Sequence, residues 1–304
     1  MKNNLAMEVL RKMKNSRLII TSLLIGSLLT ACSSQQHNGS ISEATNASTP
    51  VSQETAVSTQ SVTDEAIPTE TPEPTPSPSP SLPPSTVGEG NSTEPLYSMS
   101  EAYRFVPLDQ NTTDKAVLLT FDDGPKDQEV LTSLLDTLDK HKAKAIFFVN
   151  GYRVKQNPDL LKLINERGQT VGNHSWDHIN LKDETETVVD EQIGDVQAAV
   201  EALIGKKPVF FRPPYGSGGD TVKEIAKNHG MLYMTWSNGS LDWDQSAKDK
   251  PEVVIKNVLE QLHPGANILM HELKWTADAL DELLTSLENK GYGFIDPASI
   301  KISP

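Results

Sequence analysis

The chain has 304 residues, of which 41 are Asp or Glu and 27 are Lys or Arg, giving a formal charge of −14 at pH 7. That balance argues against nucleic acid or an anionic lipid surface as a partner, since both would repel it. Cys32 is the single cysteine, which excludes an intrachain disulfide, so an exported domain would have to be stable without one.

Taken in chain order, residues 1–31 read as a lipoprotein signal peptide. Lys2, Arg11, Lys12, Lys14 and Arg17 make a basic start, and Leu18 to Leu29 form an apolar core too short to span a bilayer comfortably. Met7 and Met13 are alternative starts. The tetrad Leu29-Thr30-Ala31-Cys32 is similar to the bacterial lipobox, whose cysteine is lipidated and becomes the new N-terminus. Cleavage would remove five basic residues and one acidic one, leaving 22 Lys+Arg against 40 Asp+Glu, a formal charge of −18. These features predict an exported protein, anchored as a lipoprotein to the outer face of the bacterial cytoplasmic membrane.

Residues 32–98 are rich in Ser, Thr, Pro, Glu and Gln and include Pro72-Glu73-Pro74-Thr75-Pro76-Ser77-Pro78-Ser79-Pro80. So few apolar side chains cannot offset the entropy of ordering the backbone, which predicts a disordered linker with a stiff polyproline part. Behind a lipid anchor, such a tether would let a domain reach beyond the membrane face.

From Ala116 onward, short apolar runs alternate with amphipathic stretches. Strands are predicted at 116–121, 145–150, 170–173, 209–212, 232–236, 267–271 and 293–295, with helices at 128–140, 158–167, 184–204, 220–228, 251–262 and 276–290. Regular strand–helix alternation implies a parallel sheet with helices outside, as a barrel or an open doubly wound sheet. Asp122 and Asp123, His174, Arg212, Asp242 and His271 each follow a predicted strand. In a parallel β/α barrel, the C-terminal strand ends are where active sites are built.

Each of these positions suggests a particular chemistry. In Thr120-Phe121-Asp122-Asp123-Gly124-Pro125, neighbouring carboxylates point apart, so one can ligate a metal while the other serves as a base. His174 and His178 are four residues apart, which would place both rings on one face if the chain turns helically there. Two histidines and one carboxylate leave coordination positions open, as in a catalytic metal site. Arg212, in Phe211-Arg212-Pro213-Pro214-Tyr215-Gly216, could pair with a carboxylate and orient it, and the turn after it could offer a backbone N–H to an oxyanion. Asp242 could bond His271 and raise its pKa, making it a competent general acid. Trp243 and Trp176 offer flat surfaces for stacking sugars, although a lone tryptophan is more often core. His37, His141, His229 and His263 read as ordinary core or surface residues.

Together the motifs TFDDGP, HSxxH, RPPYG, DW and LxH, in this order, resemble those of the polysaccharide deacetylases of carbohydrate esterase family 4, the NodB-homology domain. The resemblance covers about residues 107–304. It implies a distorted (β/α)7 barrel with parallel strands and outer helices. It further implies that Asp123, His174 and His178 bind a metal, usually zinc, with cobalt or manganese as alternatives. Asp122 would be the catalytic base, oriented by Arg212, and His271 the general acid, tuned by Asp242. The Tyr215 backbone N–H would stabilise the oxyanion, and Trp243 and Leu269 would line the acetyl pocket.

The expected activity is N-deacetylation of a cell-envelope glycan, foremost the N-acetylglucosamine of peptidoglycan, by a monomer. N-Acetylmuramic acid, chitin oligomers, an exopolysaccharide or O-acetyl xylan are alternative substrates, and a non-catalytic sugar-binding lipoprotein is a further alternative. One position departs from the family pattern: the fourth motif is often D-x-x-D-W, and Gly239 stands at its first acidic position. The Trp236-Ser237 and Asp242-Trp243-Asp244 arrangement, followed by His263-Pro264-Gly265-Ala266, resembles a subgroup acting on muramic residues. Glu272 has no role assigned from sequence.

Overall fold

A computed structural model of the chain describes residues 94–302. The predicted signal peptide, the lipidation site Cys32, His37 and the linker as far as residue 93 lie outside the described residues. Within them, no helix is long and apolar enough to cross a membrane.

The fold begins before the boundary drawn at residue 107. β1 (Tyr97–Met99) pairs antiparallel with β2 (Phe105–Pro107), which brings residues 97 and 98 out of the predicted linker. Tyr97 and Phe105 are buried, and the Tyr97 hydroxyl donates to the Thr113 carbonyl at 3.0 Å. These anchors were hidden because they follow directly on a polar, proline-rich run with no periodicity of their own.

The alternating unit then runs β3 (Ala116–Gly124), α1 (Gln128–Lys140), β4 (Ala145–Val149), α2 (Gly151–Gln156), α3 (Pro158–Glu166), β5 (Thr170–Asn173) and α4 (Glu186–Ile204). It continues with β6 (Phe210–Phe211), α5 (Asp220–Asn228), β7 (Leu232–Tyr233), β8 (Asn238–Gly239), α6 (Pro251–Glu260), β9 (Ala266–His271), α7 (Lys274–Asn289) and β10 (Gly293–Phe294). The order in the sheet is β7-β6-β5-β4-β3-β9-β8, with β10 beside the start of β3, and all of these pairs are parallel.

The sheet curls into a half-barrel, in keeping with the predicted distorted (β/α)7 barrel. Arg212, directly after β6, hydrogen-bonds Asn267 of β9. Those strands are four places apart, about 19 Å in a flat sheet, which is beyond the reach of one side chain. The period of two along β3 sorts its side chains. Val117, Leu119 and Phe121 pack under the helices, whereas Leu118 faces inward with Ile146, Phe148 and Phe210.

Predicted boundaries move where a cap or a carbonyl intervenes. α4 starts at Glu186 rather than 184 because the Thr185 side chain accepts from Val188 N and caps it. The predicted strand 232–236 stops at Tyr233, because the Thr235 carbonyl turns inward to accept from Arg212 and Asn267. β8, which was not predicted, follows it.

Candidate active site

The site begins with a β-bulge. The β3–β4 register shifts between Asp122 and Gly124, leaving Asp123 as the extra residue, with φ of 69°. In a regular strand Asp123 would point out toward the helices, like Phe121. The bulge re-aims it, so both carboxylates reach one cleft while keeping different partners.

Asp122 is buried and accepts from Arg212 Nη1 at 2.8 Å. The same nitrogen donates to Thr120 Oγ1 at 2.7 Å, and Nη2 donates to the Thr235 carbonyl at 2.8 Å and Asn267 Oδ1 at 3.1 Å. The Thr120 hydroxyl in turn donates to the Ile268 carbonyl at 2.6 Å. The guanidinium lies over the Phe148 ring, 4.4 Å from its centroid. Burial pulls the arginine's pKa down, and Asp122 pulls it back up.

Asp123 faces the two histidines. His174 Nε2 lies 3.5 Å and His178 Nε2 3.2 Å from Asp123 Oδ1, and ligand atoms of all three residues lie within 4.8 Å of one another. His174 Nδ1 is 2.7 Å from the Arg212 carbonyl. A carbonyl only accepts, so Nδ1 carries the proton and Nε2 presents its lone pair to the cleft. Burial lowers the His174 pKa against the pull of Asp122 and Asp123, which favours the neutral, ligating form. Burial also opposes charge on Asp123, but His178, His174 and His271 outweigh it and hold the carboxyl well below its usual range. Asp123 Oδ1 is buried without a hydrogen-bond partner. Two imidazole nitrogens converging on this orphaned carboxylate oxygen fit a divalent cation.

The chain makes no helical turn between His174 and His178. Asn150 Nδ2, Gly151 N and Tyr152 N donate to the carbonyls of His174, Ser175 and Trp176, so these carbonyls are not free to close a helix. Ser175 and His178 instead take left-handed backbone, with φ of 64° and 57°, and the two rings still meet at 5.1 Å between centroids. Left-handed non-glycine residues at Asp123, Ser175, His178 and Tyr215 surround this one site.

On β9, where His271 is the register partner of Asp122, His271 Nδ1 lies 2.7 Å from Asp242 Oδ1, which leaves Nε2 for the cleft. Asp242 Oδ2 accepts from the His271 backbone N–H and from the Thr276 hydroxyl, both at 2.7 Å. The Trp275 indole donates to the Asp242 carbonyl at 2.8 Å. Asp122, Asp123, His174, His178, Tyr215, Trp243, Leu269 and His271 line one cavity of about 370 Å³ with Pro213, Gly216 and Trp236.

Trp176 is not among the lining residues. It is partly buried against the main hydrophobic core, and its ring lies on Gly151, where any Cβ would run into it. His141 bonds Asp281 and Glu288, His229 bonds Asp190, and His263 bonds the Ser237 carbonyl. Residues that sequence reasoning missed hold the others in place. Thr120 and Asn267 position Arg212, Thr276 and Trp275 position Asp242, and Trp236 forms part of the wall. The alternation rule could have flagged Thr120 as a polar inward position on β3; the others carry no local signal. Gly239 lies in β8, where an added Cβ would touch Trp236 Nε1 and Trp243 at 3.6 Å. Glu272 is buried against the turn after Asp123, and burial pushes its pKa up.

Three comparisons bear on this geometry. A family profile described as "Polysaccharide deacetylase" matches residues 109–234. The peptidoglycan-N-acetylmuramic acid deacetylase PdaA of Bacillus subtilis is 33% identical over 201 residues, covering 66% of this chain and 76% of that protein. The chain belongs to the polysaccharide deacetylase family. Another family member, the peptidoglycan-N-acetylglucosamine deacetylase PgdA of Listeria monocytogenes, is 42% identical over 184 residues, 60% of this chain. The chain spans only 38% of the length of that relative. The crystal structure of the Bc1960 peptidoglycan N-acetylglucosamine deacetylase is 32% identical with a TM-score of 0.58, covering 62% of this chain and 91% of that one.

Proposed function

We propose that this family member is a metal-dependent N-deacetylase of peptidoglycan, acting on its N-acetylglucosamine. The observation that carries the reading is the pairing, in one cavity, of Asp123, His174 and His178 with His271, which sits on the strand beside Asp122 and is held by the buried Asp242. The names of the relatives PgdA and Bc1960 support the substrate class.

Asp123, His174 and His178 would hold a divalent cation, zinc or else cobalt or manganese, which would supply Lewis acidity toward the acetamide carbonyl and an attacking water. Asp122 takes the proton of that water through Oδ2, because Oδ1 is committed to Arg212. Arg212 fixes the carboxylate's direction through its fork of bonds to Thr120, Thr235 and Asn267. The Tyr215 backbone N–H adds a donor for the developing oxyanion. His271 Nε2 gives its proton to the amide nitrogen as the C–N bond breaks, and Asp242 compensates the charge on the protonated ring. The water oxygen stays on the acetyl carbon, so the products are acetate and a free sugar amine. Trp243 and Leu269 flank the acetyl methyl group.

Cleavage of the leader before Cys32 and lipidation of that cysteine would hold the domain outside the cytoplasmic membrane, within reach of the wall, as a lipid-anchored monomer. Labelling of the wild type but not of Cys32→Ala with a radioactive fatty acid tests the anchor.

A second reading, N-acetylmuramic acid as the target sugar, is favoured by the relative PdaA, most of whose length is matched. Acetate release by the full chain from peptidoglycan and from chitin oligomers, followed by analysis of the deacetylated sugar, separates the two. Release abolished by a chelator and restored by zinc is expected. Folded protein with zinc bound that releases no acetate from either polymer would end the deacetylase reading.

A further inference from the structure

We propose that Glu272 is a positioning residue: its buried carboxylate clamps the turn that follows Asp122 and Asp123 onto the strand end carrying His271. The use made of that clamp rests on the deacetylase reading, whereas the clamp itself rests on geometry alone.

Glu272 is 1% exposed. Its Oε1 accepts from the backbone N–H groups of Lys126 at 2.9 Å and Asp127 at 2.8 Å, and its own N–H donates to the Asp122 carbonyl at 3.2 Å. One residue therefore holds the chain on both sides of Asp123. The Asp127 side chain cannot take over, because it caps α1 through Val130 N at 2.9 Å. Glu272 Oε2 lies against Gly124, where an added Cβ would run into it, and is buried without a partner. A buried carboxylate with one unsatisfied oxygen is costly, and the return here is a fixed bulge. Asp123 sits in left-handed backbone, which persists only where its surroundings over-determine it. Because His271 precedes Glu272, the clamp also sets the spacing between the metal triad and the proton donor.

The test uses the full chain with zinc as the probe. Zinc affinity is read by competition with a chromophoric chelator, and amide exchange is followed at Lys126 and Asp127. Glu272→Ala should lose about tenfold in zinc affinity, the scale typical of residues that orient ligands, and both amides should exchange faster. Glu272→Gln keeps an acceptor at Oε1 and should stay close to wild type in both readouts. A Glu272→Ala protein with wild-type affinity and exchange overturns the proposal, as does a Gln variant as damaged as the Ala variant. If Glu272→Ala does not fold, Gly124→Ala presses on the same contact with the carboxylate retained, and unchanged zinc affinity there also overturns it. None of these readouts requires acetate release, so a failure of the deacetylase reading would leave them interpretable.

Discussion

Asp242 grips His271 twice, through the ring Nδ1 at 2.7 Å from Oδ1 and through the backbone N–H at 2.7 Å from Oδ2. The carboxylate thus fixes the ring and the strand end beneath it together. Burial alone would drive the imidazole toward its neutral form. Asp242, aided by Asp122 and Asp123, outweighs burial, and the His271 pKa lies above its ordinary 6.5.

The sign of the pH effect follows. A raised folded-state pKa means that charged His271 contributes stability fully below about 6.5, and that this contribution fades as pH rises through the raised value. In its proposed role as the acid the same group must be protonated, so kcat/KM should fall on the alkaline side. Asp242→Asn should move that alkaline limb to lower pH. It should also shrink the stability advantage measured by urea unfolding at low pH more than at high pH. Parallel pH profiles of the two proteins check this, and an unmoved alkaline limb would remove Asp242 from the tuning role.

Removing the proposed acid outright separates proton donation from metal binding. His271→Ala should lower turnover by about 10²–10⁴-fold, while zinc binding, measured by chelator competition, stays intact. Retained activity would mean that another group protonates the leaving amine.

Zinc bound only by the folded protein should raise its melting temperature, because a ligand at 100 times its Kd adds about 2.7 kcal/mol. Chelation should reverse the shift. His178→Ala removes one ligand of the triad and should abolish the zinc-dependent shift without changing the metal-free melting temperature greatly, since His178 is partly exposed at the cleft. A full zinc response in that variant would place the metal elsewhere.

Much of this arrangement was legible because strand ends announce themselves. Thr120 to Pro125 and Ile268 to His271 each close an apolar run with a titratable residue, and a parallel sheet gathers such ends on one side. The backbone that aims them was not legible. The bulge at Asp123 and the left-handed turn at His178 arise from hydrogen bonds to partners far along the chain, such as Asn150 to the His174 carbonyl. β8 escaped notice because Asn238–Gly239 has neither length nor β-propensity. Glu272 and Asn267 are single polar residues whose partners lie up to 146 positions away or across the barrel, so no local pattern could reveal them.

Trp176 supplies a stability prediction where sequence had offered a sugar platform. Its ring fills the space over Gly151 and joins the main core. Trp176→Ala should cost about 3 kcal/mol of stability in urea unfolding and leave KM for a glycan nearly unchanged. A raised KM with full stability would return Trp176 to the binding surface.

Arg212 separates a structural debt from a catalytic one. Its side chain is wholly buried and pairs with Asp122, itself 3% exposed. Arg212→Met leaves that carboxylate without its counter-charge and should destabilise the fold by about 3–5 kcal/mol. Arg212→Lys keeps a charge but cannot span Asp122, Thr120, Thr235 and Asn267 at once, so it should recover little. In the double variant Arg212→Met/Asp122→Asn, no buried charge is left unpaired, and much of the lost stability should return. Activity should not return with it, because the proposed base is gone. Urea midpoints and acetate release measured on the same four proteins decide the matter: recovery of both together would mean that the Arg212–Asp122 pair is needed only for folding, and recovery of stability alone assigns the pair to the chemistry.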